Sequence, residues 1–416
     1  MSERGRIGIV GGSIGGCAAA ISLSRSGWDV DVFERSDRDL VARGAGIATL
    51  TPLLDALIAR DLVGGDLPRF DARPTRWVAR DATVRSGRLF GTDPLRLPMS
   101  TLTWGHLSAH LRTRVPSGVY ERGRTVAQID ASAPRPTVRF ADGSRRDYDL
   151  VVCADGYRSL GRSTLFPDAA LRYRGYVLWR GIVAEGSVDG TAMLEQSALR
   201  CGYLGGHGVF YLVPAAAPDD NGAREINWGL YLQVPQDELT SVLTDRFGRT
   251  AEGSVAAGML APEQEAAFKA QAVDLLPTVL ADVVDASRDT SIQAIFTVTV
   301  PEYRRGRVCL VGDAGTLYPP FTGSGVFNAV SNALELAVAL DKGADIDACL
   351  AAWSDRQLRA LEASAAAAEV LERAFIFEMP DLAGFDDDEF AAWNSAVWAQ
   401  LPPPPAPGAP SGTRKK

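Results

Sequence analysis

Apolar positions along this chain follow two periods, and the switches between them mark its elements. Ile7–Val10 is a short continuous apolar run, the pattern of a buried strand, and a Gly-rich turn follows it. Apolar residues then recur to about Ser26, with Gly27 as a C-terminal stop, which predicts a helix. Val30–Phe33 predicts a second strand ending in Glu34. Helices are expected around Pro52–Ala59 and over Thr103–Thr113. Thr137–Phe140 and Tyr148–Ala154 read as strands, with Asp142-Gly143 as a hairpin signal between them.

After about Arg172 the pattern changes. Tyr176–Val183, Val209–Val213 and Ile226–Val234 are strand-like and aromatic, which predicts a mostly β layer inserted into an α/β domain. Alternation in the last of these puts Asn227, Gly229, Tyr231 and Gln233 on one face, and Trp228, Leu230 and Leu232 on the other. Ala261–Val284 reads as helical around a break at Pro277, Val308–Val311 as a strand, and Gly325–Leu340 as a helix with Gly343 just past its end. Ala348–Phe377 reads as one long Ala-rich helix. The segment from Leu401 carries a proline run and a basic end, the composition of a disordered tail.

Composition narrows the partners. Of 416 residues, 46% are hydrophobic and 23% charged, a globular balance with length for more than one domain. A net charge of -8 argues against a nucleic-acid partner. No apolar run reaches membrane-spanning length and the N-terminus does not read as a signal peptide. Five scattered cysteines without a CxxC pair favour a reducing compartment, so a cytoplasmic location is expected. His106 and His110 lie four apart on a predicted helix and read as a partly solvated face; no metal site is expected.

Three motifs carry chemistry. In Gly11-Gly12-Ser13-Ile14-Gly15-Gly16, between strand and helix, Gly11 permits the tight turn and Gly16 lets helix and strand approach. The N–H groups at the helix start suit a pyrophosphate, helped by the helix dipole. Ser13 replaces the middle glycine of the usual fingerprint, and Glu34 stands where a carboxylate accepts from an adenosine ribose. The second motif runs from Asp149 to Asp155-Gly156 and on to Ser159 and Arg162, a strand into a tight bend with a carboxylate at its tip. The third is Gly312-Asp313-Ala314 followed by Pro319-Pro320-Phe321-Thr322-Gly323-Ser324-Gly325 and a helix. It sets a carboxylate at a strand end and aims backbone N–H groups at one spot.

In this order and spacing, over residues 5–345, the motifs resemble the single-component FAD-dependent aromatic hydroxylases, the para-hydroxybenzoate hydroxylase class. Arg43-Gly44-Ala45-Gly46-Ile47, Ile226-Asn227-Trp228 and Ile292-Gln293-Ala294-Ile295, with Ser13, are similar to the 2,6-dihydroxypyridine 3-monooxygenase branch. The resemblance implies an α/β fold: a Rossmann-like FAD-binding domain with an inserted β-rich substrate domain and a C-terminal helix. It implies FAD-binding segments at 1–75, 101–171 and 286–345, a substrate-domain segment at 76–100 and the substrate domain at 172–285. A C-terminal helical region at 346–400 and the tail at 401–416 complete the division. The expected reaction is hydroxylation of a phenol-like or hydroxylated N-heteroaromatic ring by NADPH or NADH and O2, through a flavin C4a-hydroperoxide.

By resemblance, Gly11, Ser13, Ile14, Gly16, Glu34 and Arg35 hold the ADP half of FAD, Asp313 the ribityl chain, and Gly323, Ser324 and Gly325 flank the isoalloxazine. Asp155 and Gly156 match the family's Asp-Gly motif, associated with FAD and the nicotinamide cofactor, and Arg43 is assigned to the flavin linker. Pro320 is expected against the flavin face and Phe321 near the substrate, with His207 and Tyr211 as further catalytic candidates. Trp179, Arg180 and Tyr231 are additional pocket candidates, and His207 is expected in a Gly-rich turn, Gly205-Gly206-His207-Gly208. The chain departs from its relatives at Trp104, Gly315-Thr316 and Phe321. Baeyer–Villiger or epoxidising chemistry, or a flavin reductase or dehydrogenase, shares the same frame. The partners are a small aromatic molecule and O2, with a homodimer left open.

Overall fold

Short, continuously apolar strands such as Ile7–Val10 and Leu150–Cys153 can be satisfied only in a sheet covered on both faces. The computed structural model, which describes residues 4–38, 45–71, 74–94, 98–215, 222–343 and 345–402, contains such a sheet. Its order is Arg304–Arg305, Val308–Leu310, Leu150–Cys153, Arg6–Val10, Asp29–Glu34 and Tyr120–Arg122. All neighbours run parallel except the short first strand. Helix Ile14–Arg25 packs on helix Ser324–Lys342, where Gly15 faces Ala329 and Val311.

The second sheet has eight strands: Ser254–Val255, Ser291–Thr297, Arg172–Ala184, Arg224–Gln233, Gly206–Pro214, Ala198–Tyr203, Thr75–Ala79 and Arg88–Thr92. Period-two alternation divides its central strands. Val177, Trp179, Trp228, Leu230 and Phe210 join one core with Phe268 of helix Pro262–Leu275 and Leu280 of helix Thr278–Ala286. Leu178 and Tyr231 join a different cluster, with Tyr176, Ile295, Ile376 and Phe321. A small sheet of Gly46–Leu50, Met99–Thr103 and Phe70–Asp71 lies against this second face, where Thr101 Oγ1 donates to the Leu212 carbonyl at 2.8 Å.

Several elements differ from expectation. Asp142-Gly143 joins Thr137–Phe140 to Arg145–Asp147, not to the strand after it; Leu150–Cys153 enters the parallel sheet instead. The hairpin signal is real, but the short charged partner strand carries no apolar run. Pro277 does split the 261–284 segment into two helices, the break expected from its missing N–H and fixed φ. The long C-terminal helix Ile346–Glu372 closes in a π-turn over Arg373–Phe377, and a separate helix Asp387–Ala399 follows, started by a capping box of Asp386 and Glu389. His106 is buried at the start of helix Trp104–Arg112 and not on a solvated face. Among the described residues, no helix is long and apolar enough to cross a membrane. Most of the tail, from residue 403, lies outside the described residues.

Candidate active site

The expected ADP end is built from the first parallel strand. Gly11 has φ +96°, and a side chain there would meet the Ala154 carbonyl. At Gly16 a side chain would collide with the Gly11 carbonyl oxygen, so both positions require glycine. Ser13 is the N-cap of helix Ile14–Arg25 but makes no side-chain cap bond, which leaves its hydroxyl and the first N–H groups of the helix for a ligand. Ile14 is buried behind them. Glu34 is buried and already braces the turn: Gly12 N donates to Oε2 at 3.0 Å and Ser36 N to Oε1 at 2.9 Å. A carboxylate accepts about four bonds, so lone pairs remain for a ribose. Arg35 stands exposed beside it. No sequence pattern pointed to Tyr120, whose hydroxyl donates to the Gly12 carbonyl at 2.9 Å and whose ring lies under Arg112. Arg43 lies outside the described residues.

The middle of the site joins the second and third motifs. Asp155 accepts from Ser159 Oγ at 2.6 Å and Gly161 N at 3.2 Å, and burial raises its pKa. Arg162 is buried and donates to the carbonyls of Tyr157, Asp313 and Ala314, tying the Asp155-Gly156 bend to the Gly312–Ala314 turn. Gly312 has φ +62° and donates its N–H to Asn332 Oδ1 at 2.9 Å. The half-buried Asp313 carboxyl accepts no hydrogen bond from the described residues, and burial pushes it up to about 6 against the pull of Arg162.

At the far end Pro320 opens a short 3-10 turn, and Gly323 closes it with φ +62°. Gly323 abuts Met99 and the Ala48 carbonyl. Ser324 Oγ shares a 2.7 Å hydrogen bond with Thr322 Oγ1. Gly325 is exposed, with ordinary backbone geometry, and a side chain there would meet nothing within 4 Å. Open space also faces Gly156. An uncapped helix start, an unpartnered Asp313 carboxyl and two glycines bordering open space thus fit an extended dinucleotide cofactor.

Phe321 turns from that end into an aromatic cluster. Its ring lies 5.0 Å from Tyr231, 5.4 Å from His207 and 6.1 Å from Tyr176. His207 is not in a turn. Leu204-Gly205 makes the turn, and His207 lies in strand Gly206–Pro214, stacked on Tyr231 at 4.7 Å. Its Nδ1 lies 3.1 Å from the Phe375 carbonyl of the π-turn. Burial, with Arg200 second, holds the imidazole well below its ordinary pKa. It is therefore neutral, donates through Nδ1–H, and keeps Nε2 as an acceptor. Tyr211 is half-buried on the same face, its hydroxyl pushed up to about 12 by burial. Trp179 belongs to the opposite face, where its ring stacks on Phe268 at 4.0 Å. Tyr176 and the π-turn were missed; only the aromatic run Phe375-Ile376-Phe377 hinted at the latter.

Gly46 joins the two halves. Its N–H donates to Asn227 Oδ1 at 2.9 Å, and its carbonyl accepts from Arg180 Nη2 at 2.9 Å. A side chain at Gly46 would sit 2.5 Å from Asn227 Cγ, so only glycine allows this approach.

Comparison with known proteins finds relatives with the same fold. Residues 9–40 match an NAD(P)-binding Rossmann-like domain, 173–297 an FAD binding domain-like model and 260–345 an FAD binding domain. The chain is 28% identical over 357 residues to a 2,6-dihydroxypyridine 3-monooxygenase of Paenarthrobacter nicotinovorans, covering 85% of this chain and 87% of the relative. It is 28% identical over 393 residues to a 3-amino-4-hydroxybenzoate 2-monooxygenase of Streptomyces cremeus, covering 90% and 88%. The fold matches the structure of 2,6-dihydroxypyridine-3-hydroxylase from Arthrobacter nicotinovorans with a TM-score of 0.84, at 24% identity over 97% of this chain and 99% of that one. Klebsiella pneumoniae HpxO complexed with FAD and uric acid matches with a TM-score of 0.70, at 21% identity over 94% and 92%.

Proposed function

We propose, from the premise that this chain is a relative of the FAD-binding monooxygenases, that it hydroxylates a small electron-rich aromatic or hydroxylated N-heteroaromatic ring with NADH or NADPH and O2. The observation that carries this reading is the aromatic cluster of Tyr176, Tyr231, His207 and Phe321 set beside the Pro319–Gly325 turn. Aromatic walls of this kind suit a flat ring laid against them, and the relatives' names are those of enzymes acting on hydroxylated rings. Bound FAD would supply the electron transfer and the oxygen activation.

The residues divide the remaining work. Gly11, Ser13, Ile14, Gly16 and Glu34, with the exposed Arg35, would hold the ADP half; Asp155, Gly156 and Asp313 would hold the middle, and Arg43 would serve the flavin linker. Gly323, Ser324 and Gly325 would flank the ring system, with Ser324 and Gly325 presenting backbone N–H groups and a positive helix end that favour negative charge there. Pro320 and Phe321 would wall the reacting space. His207 Nε2 would accept a hydrogen bond from a substrate hydroxyl, and Tyr211 would donate to a ring substituent. Tyr176, Ile295 and Ile376 keep water out.

The test is purification, cofactor release and product analysis. We expect a yellow protein releasing FAD and not FMN, NAD(P)H oxidation stimulated by some phenols or hydroxylated N-heterocycles, and a product heavier by one oxygen atom. FMN on chromatography removes the cofactor assignment. Stimulated oxidation that yields only hydrogen peroxide and unchanged rings across the panel removes the hydroxylase reading.

A further inference from the structure

The sheet face that meets the Gly46 strand carries a guanidinium that no carboxylate answers among the described residues. Arg180 stands opposite Gly229 on strand Arg172–Ala184 and is half-buried. The guanidinium's one hydrogen bond among these residues is from Nη2 to the Gly46 carbonyl, although it carries five donors. Three other arginines near this face have partners. Arg174 pairs with Glu372, Arg200 with Asp93, and Arg162 donates to three carbonyls. A half-buried cation without a counter-ion is unfavourable unless a ligand supplies one.

The surroundings point to what that ligand is. Arg180 lies near enough to Tyr211 and Tyr231 to lower the pKa of both against the larger effect of burial. Neither hydroxyl is hydrogen-bonded to the described residues. Register places Tyr231 opposite both His207 and Leu178, so these groups and Arg180 share one face. The Gly46 strand beside Arg180 continues to Ala48, whose carbonyl borders Gly323. Arg180 therefore stands between the aromatic cluster and the turn proposed to carry the cofactor ring.

We propose that Arg180 is a specificity residue that binds the ring-bound oxyanion of the substrate, a phenolate or the ionised hydroxyl of an N-heterocycle, and selects the ionised ring over the neutral one. The inference rests on the ring-hydroxylating reading above and deepens it, since an ionised ring is the more electron-rich one. The competing structural role is that Arg180, with Asn227, only clamps Gly46. A competing ligand role is that the guanidinium answers the cofactor.

Binding to the FAD-loaded enzyme without turnover separates these. The probes are 4-nitrophenolate, followed by its visible band, and 4-nitroanisole, its neutral methyl ether of nearly the same shape. Arg180→Met keeps the aliphatic stem without the charge, and Arg180→Lys keeps a charge. The parent should bind the phenolate about tenfold or more tighter than the ether, a difference of about 1.4 kcal/mol. Arg180→Met should lose that preference by weakening the phenolate alone, Arg180→Lys should recover most of it, and FAD affinity should stay close to that of the parent in both. Equal binding of the probes by the parent, failure of the parent to bind the phenolate, or a Met variant that keeps the preference while losing FAD overturns the proposal. If Arg180→Met does not fold, Arg180→Gln serves as the neutral variant. A parent that prefers the phenolate yet hydroxylates no ring keeps the subsite and loses the reaction; hydroxylation without the preference does the reverse.

Discussion

At the scale of single residues, the site holds groups whose cost to the apoprotein exposes their purpose. Asp313 is the clearest. A carboxyl whose pKa is raised by folding holds its proton more tightly in the folded chain, so the apo form loses stability as pH rises from the ordinary carboxylate range through about 6. Asp313→Asn should remove that loss. The variant's apo form should melt above the parent's at pH 8 and level with it at pH 4, while its FAD affinity falls about tenfold, as a neutral amide replaces a charged acceptor. Differential scanning at both pH values and a flavin fluorescence titration check this, and an Asn variant that melts below the parent at pH 8 contradicts it. Two neighbouring glycines give a paired test. Gly323→Val forces a branched residue to φ +62° and should cost roughly 1–3 kcal/mol in the apo form. Gly325→Val meets open space and should leave apo stability within about 0.5 kcal/mol. If cofactor occupies that space, Gly325→Val still loses FAD affinity or slows flavin reduction about tenfold in single-turnover measurements.

At the scale of elements, what could be read from sequence was whatever a local pattern fixes. The Gly11–Gly16 turn, the flanking strands and the alternation that separates Tyr231 from Trp228 need no distant information, and the structure has them. His207 was misread because three glycines around it suggest a turn, while cross-strand pairing with Tyr231 holds the segment extended. The π-turn was invisible because its cause is tertiary. It frees the Phe375 and Ile376 carbonyls for His207 and for Gln233, whose Nε2 donates to Ile376 at 3.0 Å. Glu372 anchors this turn from below, accepting from Arg174 and from the Tyr176 hydroxyl at 2.9 Å. A hydrogen bond to a buried charged group is worth roughly 1.5–3 kcal/mol, so Tyr176→Phe should lower stability by about that amount. A shift of the urea midpoint at unchanged slope is the measurement, and no shift would mean that Arg174 alone holds the carboxylate.

At the scale of the whole molecule, the C-terminal region is a third packing unit that closes the second sheet's edge. Phe390 is buried and stacks on Phe90 at 4.8 Å, and Trp393 meets Trp77 edge-on at 5.1 Å. Leu401 packs against the same cluster, so the dispensable tail begins after it. Removal of residues 403–416 should leave the melting temperature unchanged, whereas Phe390→Ala should cost roughly 3–5 kcal/mol by opening a cavity between helix Asp387–Ala399 and strand Arg88–Thr92. Chemical denaturation of both variants checks the pair; a truncation that melts early would show the tail docked. Gly46 has a consequence for inheritance. Its N–H and carbonyl are gripped by Asn227 and Arg180, which lie far along the chain, and its own strand runs beside Gly323. A graft that exchanges the aromatic sheet alone for a relative's would arrive with the wrong grip on a strand it did not bring. Chimeras that change ring preference should succeed when positions 46, 180 and 227 travel as one block, and fail where a crossover falls between them.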